Sequence, residues 1–135
     1  MNIRPQVLIV EDLIDIPQIY VDLLLLISPM DFYFAQTAKE AILKIQELGS
    51  ALSLILCDYS MPGASGVAVL RFNLENYRRP FCLITGGSLD SMEGLEDVHF
   101  DGKTNHFISK PLDEVQFISK MRILIQAEEA ANSNQ

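Results

Sequence analysis

The chain has 135 residues, a length typical of one domain and too short for two ordinary ones. Hydrophobic residues make up 49% of it, as in globular proteins. Its formal net charge of −8 argues against nucleic acid as a direct partner, because phosphate contacts need a basic surface. The longest apolar run, Leu23–Ile27, is far shorter than the roughly 20 residues that a membrane span needs. We therefore expect one cytoplasmic domain without membrane contact, with Cys57 and Cys82 as buried, reduced thiols.

The first part of the chain alternates an apolar run of strand length with a segment of helical periodicity. The first strand is predicted at Val7–Val10. Pro17, two residues after Asp15, is typical of the first turn of a helix, and Ser28–Pro29 ends that helix. A second strand is predicted at Phe32–Ala35. The apolar residues at helical spacing in the predicted helix are Ile16, Ile19, Tyr20, Leu23 and Ile27.

The middle of the chain carries clearer boundary signals. Thr37-Ala-Lys-Glu40 is a capping box, which predicts a second helix, and Gly49 is typical of the residue that ends one. The run Leu52–Cys57 is apolar on both alternating faces, as in parallel strands covered by helices on both sides. A third helix is predicted from Ser65 to about Asn76.

The last part of the chain repeats the alternation. Strands are predicted at Phe81–Thr85 and His106–Ser109, and between them Ser88–Val98 has a weaker helical pattern that contains Gly94. A final helix is predicted from Asp113 to about Glu128. We expect residues 1–128 to form the domain and residues 129–135 to form a frayed tail.

Five strands that alternate with five helices predict an α/β fold, a doubly wound parallel sheet with helices on both faces. In such folds functional residues collect at the carboxyl ends of the strands. Candidate functional residues should therefore come directly after the predicted strands.

Charged and polar side chains stand at the ends of four predicted strands. Glu11 and Asp12 follow the first strand, Asp58 follows the third, Thr85 ends the fourth and Lys110 follows the fifth. Three carboxylates that lie close together repel one another, and a hard divalent cation such as Mg²⁺ relieves that repulsion. Lysine and threonine can both donate hydrogen bonds to phosphoryl oxygens. The sequence therefore predicts a Mg²⁺ site that could also hold a phosphoryl group.

Four segments that contain these residues resemble the receiver domains of two-component response regulators. They are VLIVED (Val7–Asp12), CDYSMPG (Cys57–Gly63), LITG (Leu83–Gly86) and FISKPL (Phe107–Leu112). The resemblance covers nearly the whole chain and implies a flavodoxin-like sheet with strand order 2-1-3-4-5.

The resemblance also implies roles for individual residues. Asp58 would be the phosphoacceptor, phosphorylated by a histidine kinase or a histidine phosphotransfer protein. Mg²⁺ would be held by Asp12, Asp58 and the carbonyl of Ser60, with Glu11 acting through a metal-bound water.

The remaining roles concern signalling. In the family pattern Lys110 would hold the phosphoryl group, Thr85 would move toward it, and Phe107 would change rotamer in response. The domain would then act as a phosphorylation-dependent switch of a protein-binding surface. It would not be an enzyme acting on other molecules, although it would slowly hydrolyse its own acyl phosphate.

Other interpretations of the sequence remain open. We expect a stand-alone receiver; the alternatives are a fragment of a larger response regulator or hybrid kinase, and a receiver-like scaffold that works without phosphorylation. A phosphatase of the haloacid dehalogenase type is disfavoured, because it needs a second Asp where this chain has Ser60.

Features of the surface suggest partners. If Val21, Leu25 and Leu26 lie outside the core, the first helix presents an apolar surface that in this family faces the phosphodonor. The segment between Thr85 and Phe107 is longer than is usual in the family. An altered fourth helix there would indicate an unusual partner or a different homodimer.

Overall fold

The structure, a computed structural model, describes residues 4–60, 66–86 and 94–133. Over these ranges it contains five strands and four α-helices. The strands are β1 (Gln6–Val10), β2 (Asp31–Ala35), β3 (Leu54–Asp58), β4 (Phe81–Thr85) and β5 (Asn105–Ser109). The helices are α1 (Ile16–Leu25), α2 (Ala38–Leu48), α3 (Gly66–Glu75) and α4 (Glu114–Ser133), and a short 3-10 helix, Gly49–Ala51, follows α2.

All five strands form one parallel sheet in the order β2-β1-β3-β4-β5. This confirms the predicted doubly wound topology and its strand order. Val10 is aligned with Cys57, and Thr85 is aligned with Ser109. Because the strands are parallel, the carboxyl ends of β1, β3, β4 and β5 meet at one edge of the sheet.

The core has two layers, one on each face of the sheet. Helices α1 and α4 cover one face, and α2 and α3 cover the other. Cys82 lies in the first layer and Cys57 in the second, and both thiols are buried and free. Burial raises the pKa of Cys82 to about 12 and raises that of Cys57 well above its usual range, so both stay protonated at neutral pH.

The local signals at α1 and α2 act as the sequence predicts. Pro17 lies in the first turn of α1, where its missing N–H has no partner to lose. The hydroxyl of Thr37 accepts a hydrogen bond from the backbone N–H of Glu40 at 3.1 Å and caps α2. The carboxylate of Glu40 instead accepts from the N–H of Gln36, one residue before the cap. Gly49, with φ +53°, ends the helix.

The predicted fourth helix, Ser88–Val98, falls partly outside the described residues, which resume at Gly94. Residues 94–98 contain turns, and the prediction of a helix is wrong for them. Gly94 has φ +86°, in the left-handed region that interrupts a helix. The guanidinium of Arg71 on α3 donates to the carbonyl of Gly94 at 2.6 Å and forms an ion pair with Asp97.

Two apolar residues of α1 lie on the opposite side from the one expected. Ile19 is half-exposed and Val21 is buried. The reason is that the helix buries a contiguous face that contains Tyr20, Val21 and Leu24. Leu25 and Leu26 are exposed, as the sequence suggested. Within the described ranges, no helix is both long and apolar enough to cross a lipid bilayer.

Candidate functional site

Three carboxylates meet where β1 and β3 end. Glu11 and Asp12 follow the last residue of β1, and Asp58 is the last residue of β3. One carboxylate oxygen from each residue lies within 4.8 Å of the other two. Glu11 is only 2% exposed and Asp58 6%, whereas Asp12 is half-buried. The cluster is therefore set into the edge of the sheet and opens to solvent beside Asp12.

Glu11 is the most constrained member of the cluster. Its Oε1 accepts a long hydrogen bond of 3.4 Å from the N–H of Leu13, and its buried Oε2 has no hydrogen-bond partner among the residues that the structure describes. Burial, followed by the nearby charge of Asp58, raises the pKa of Glu11 to about 7. A buried carboxylate oxygen without a partner indicates a group that a bound cation or a proton would stabilise.

Lys110 brings a positive charge to the cluster. Its Nζ lies 3.6 Å from Oδ1 of Asp58. The backbone N–H of Lys110 donates to the carbonyl of Thr85 at 2.7 Å, and its peptide bond to Pro111 is cis. One ammonium group beside three carboxylates leaves the site negatively charged, so it still favours a cation.

Thr85 and Phe107 lie on neighbouring strands. Thr85 is buried at the end of β4 and is aligned with Ser109, while Phe107 is aligned with Leu83. Thr85 and Phe107 are thus diagonal neighbours on the same face of the sheet. The Phe107 ring packs edge-to-face on Phe100 with 5.5 Å between the ring centroids.

The backbone around Asp58 is held closely. The N–H of Tyr59 donates to the carbonyl of Ile84 at 2.8 Å, which ties the end of β3 to β4. Gly66, the first residue of α3, packs against the Asp58 backbone so closely that a Cβ there would lie 2.3 Å from the Asp58 carbonyl oxygen. Only glycine fits this approach without a shift of the backbone.

The structure brings together Glu11, Asp12, Asp58 and Lys110, and places Thr85 at the adjoining strand end. Ser60 is exposed two residues after Asp58. The role of its carbonyl stays a prediction, as do the roles of the other residues.

The sequence patterns missed two features around the cluster. The first is Tyr20 of α1, whose buried hydroxyl is affected by the cluster. Its pKa is raised far above the usual range by burial and then by the charges of Glu11 and Asp58. An open groove also begins at Glu11, with walls that include Ile14 and Phe34. The sequence contained a signal for the groove, since Ile14 and Phe34 are apolar residues next to the ends of predicted strands.

The donor set suits a divalent cation of the Mg²⁺ kind. It consists of carboxylate oxygens, which are hard ligands, and contains no His or Cys among the clustered groups. The unpartnered Oε2 of Glu11 is a second indication, because a cation or its bound water would satisfy it. The residues present therefore fit such an ion.

No protein-family model and no curated protein sequence match the chain. Solved structures do match it. The signal receiver domain of an HD domain-containing protein from Pseudomonas fluorescens Pf-5 is 20% identical, with a TM-score of 0.79, over 100% of this chain and 96% of the other. A CheY-like response regulator receiver domain protein from Methanospirillum hungatei is 21% identical, with a TM-score of 0.78, over 96% and 99%.

A third structure carries ligands. The response regulator protein TrrA from Thermotoga maritima, in complex with Mg²⁺-BeF, is 19% identical, with a TM-score of 0.71, over 89% of this chain and 98% of the other. The matches extend over nearly the full length of both partners in each comparison. At these identities the likeness is one of architecture: the chain has the fold of a response regulator receiver domain.

Proposed function

We propose that the chain is a phosphoacceptor receiver domain of two-component signal transduction, in which Asp58 accepts the phosphoryl group. The observation that carries the proposal is the position of Asp58. Its carboxylate ends the central strand of a receiver-like sheet, with the Lys110 ammonium 3.6 Å away and two further carboxylates beside it. Those are the groups that phosphorylation of a carboxylate requires.

A resident Mg²⁺ would be held by Asp12, Asp58 and the carbonyl of Ser60, with Glu11 reached through a bound water. When bound, the ion would offset the negative charge of the carboxylates and of an incoming phosphoryl group. Without a cation, the negatively charged phosphoryl group would have to approach Asp58 in a site where three carboxylates repel it.

In the transfer step an Asp58 carboxylate oxygen forms a bond to phosphorus. With a phosphohistidine donor the P–N bond breaks, and the imidazole nitrogen keeps the bonding electron pair. Lys110 donates from Nζ to an oxygen of the transferred group, and the hydroxyl of Thr85 donates to a second one. The acyl phosphate carries close to two negative charges where the carboxylate carried one, and it presents three acceptor oxygens at one point of the fold, enough to shift a two-state surface.

The proposed donor is a histidine kinase or a histidine phosphotransfer protein. A donor imidazole can reach the nearly buried Asp58 only if the donor surface covers the rim of the site. Ile14 is 81% exposed at that rim, and Leu25 and Leu26 are exposed at the far end of α1, beyond the exposed polar pair Gln18 and Asp22. This surface of Ile14, Leu25 and Leu26, called the α1 surface below, is the proposed docking site of the donor.

The test is the intact mass of the protein after incubation with acetyl phosphate, with and without Mg²⁺. We expect a single phosphoryl adduct that needs Mg²⁺, and we expect it to be lost in Asp58→Asn. Asp22→Asn is the matched control, because Asp22 is exposed on α1 and should leave the adduct unchanged.

The absence of an adduct would require a second donor, a phosphorylated histidine kinase. If neither donor labels a folded protein, the proposal fails, and a scaffold that works without phosphorylation explains the fold better. An adduct that persists in Asp58→Asn would place the phosphoacceptor elsewhere.

A further inference from the structure

The ring of Phe107 lies where three elements meet. It belongs to β5, packs on Phe100 from the segment before β5, and lies beneath the ammonium of Lys120 from α4. The Lys120 Nζ is 5.7 Å from the centre of the Phe107 ring. An ammonium group over an aromatic face is attracted to it.

Lys120 reaches the ring from the opposite side of the sheet. Helix α4 packs in the core layer of Cys82, while Phe107 packs against the layer of Cys57. β5 is an edge strand, so the Lys120 side chain can pass around it. The same ammonium donates to the Phe107 carbonyl at 3.2 Å, which fixes its position beside the strand.

On its other side the ring faces the inner strand β4. Thr85 lies on the same face, on the neighbouring inner strand, one diagonal position from Phe107. A ring that turns toward Thr85 moves away from the outer edge of β5. Such a movement separates the ring from Lys120, while the hydrogen bond to the backbone carbonyl can remain.

We propose that Lys120 is a positioning residue that holds the Phe107 ring at the outer edge of β5 and so opposes the switched state of the domain. The inference rests on the proposed function, since it assumes that occupation of the Asp58 site favours the inward ring. By thermodynamic linkage, a change that destabilises the outer position of the Phe107 ring must then strengthen binding at Asp58.

The experiment measures the affinity of the Mg²⁺-loaded protein for beryllofluoride, a mimic of the phosphoryl group, by ¹⁹F NMR titration. We expect Lys120→Met to bind roughly two- to fivefold more tightly than the wild type, since the attraction lost is of that size at a half-exposed position. Lys120→Arg keeps a cation over the ring and should restore the wild-type affinity. In a Phe107→Leu background, Lys120→Met should change nothing.

The chain offers a matched control on the other edge strand. Lys44 lies 5.8 Å from the centre of the Tyr33 ring, so Lys44→Met removes a similar contact far from Phe107 and should leave the affinity unchanged. A purely structural role of Lys120 would lower stability without tighter binding. Unchanged or weaker binding by folded Lys120→Met, or by Lys120→Gln if the first variant misfolds, overturns the inference. If the wild type binds no beryllofluoride and accepts no phosphoryl group, the proposed function fails and the inference falls with it.

Discussion

At the scale of single residues, the site is most constrained at Glu11. The unfolded chain holds this carboxylate in water, where its pKa is about 4.5, whereas in the folded protein burial raises its pKa to about 7. The folded state thus binds a proton that the unfolded state releases. Between these pH values the metal-free protein should therefore lose stability as the pH rises, and Mg²⁺ should restore it.

We expect Glu11→Gln to stabilise the metal-free protein at pH 8 by about 1–3 kcal/mol, because it removes a buried charge whose Oε2 has no hydrogen-bond partner in the described part of the chain. The same variant should gain much less stability from Mg²⁺ than the wild type does. Urea unfolding at pH 5 and pH 8, with and without Mg²⁺, measures both effects.

Glu75→Gln is the control, because Glu75 is an exposed carboxylate at the end of α3. A Glu11→Gln protein that is less stable than the wild type at pH 8 would show that the carboxylate is not a source of strain. An undiminished response to Mg²⁺ would show that Glu11 has no part in the cation site.

At the scale of elements, the close approach of α3 to β3 positions the phosphoacceptor. The start of α3 contacts the backbone of Asp58 through Gly66, where an added Cβ would lie 2.3 Å from the Asp58 carbonyl oxygen. Gly86, the residue after β4, has no atom of the described residues within 4 Å of where its Cβ would be. The two glycines therefore differ in what an alanine would meet among the described residues.

We expect Gly66→Ala to lower the free energy of unfolding by about 1–3 kcal/mol, since the backbone of α3 or β3 must shift to admit the methyl group. Gly86→Ala should be nearly neutral. Thermal or urea unfolding of both variants checks the difference, and equal stabilities would contradict the packing described for Asp58.

Local sequence patterns predicted the elements whose signals are local. Strands β1, β3 and β4 are short and buried on both faces. Thr37 and Gly49 mark the ends of α2 by side-chain and backbone chemistry that acts within a few residues. The turns at residues 94–98 depend instead on contacts from Arg71, 23 and 26 residues away in the chain. No periodicity can reveal a contact of that range.

The side of α1 that faces the core could not be predicted for a similar reason. Both flanks of the helix are apolar, and the spacing favoured Ile19 over Val21 as a core residue. The position of the helix on the sheet reverses that choice. The candidate site was more predictable, since a parallel sheet brings residues that follow its strands to one edge. The distances between these residues, and the burial of the Glu11 Oε2, could be known only once the fold was known.

At the scale of the whole molecule, the apolar side chains outside the core are unevenly placed. The α1 surface includes Leu26, which is 68% exposed, and Ile14, which lies at the rim of the acidic cluster. Leu43 of α2 is comparably exposed but lies on the other face of the sheet. This contrast provides a test of where a phosphodonor docks.

We expect the double variant Leu25→Ser, Leu26→Ser to slow phosphotransfer from a phosphorylated cognate kinase by about tenfold, which corresponds to about 1.4 kcal/mol of lost docking energy. Labelling by acetyl phosphate should not change, because a small donor needs no docking surface. Leu43→Ser should leave both rates unchanged. Equal rates of transfer to the double variant and the wild type would exclude the α1 surface as the docking site.

The division of the two cysteines between the core layers gives the molecule a pair of internal reporters. Each thiol is buried and protonated, so an alkylating reagent can reach it only when its own layer opens. The alkylation rate of Cys82 follows the layer of α1 and α4, and that of Cys57 follows the layer of α2 and α3. Peptide mass spectrometry of the native chain, without any engineered label, can therefore show whether a ligand at the strand ends slows the opening of both core layers or of only one.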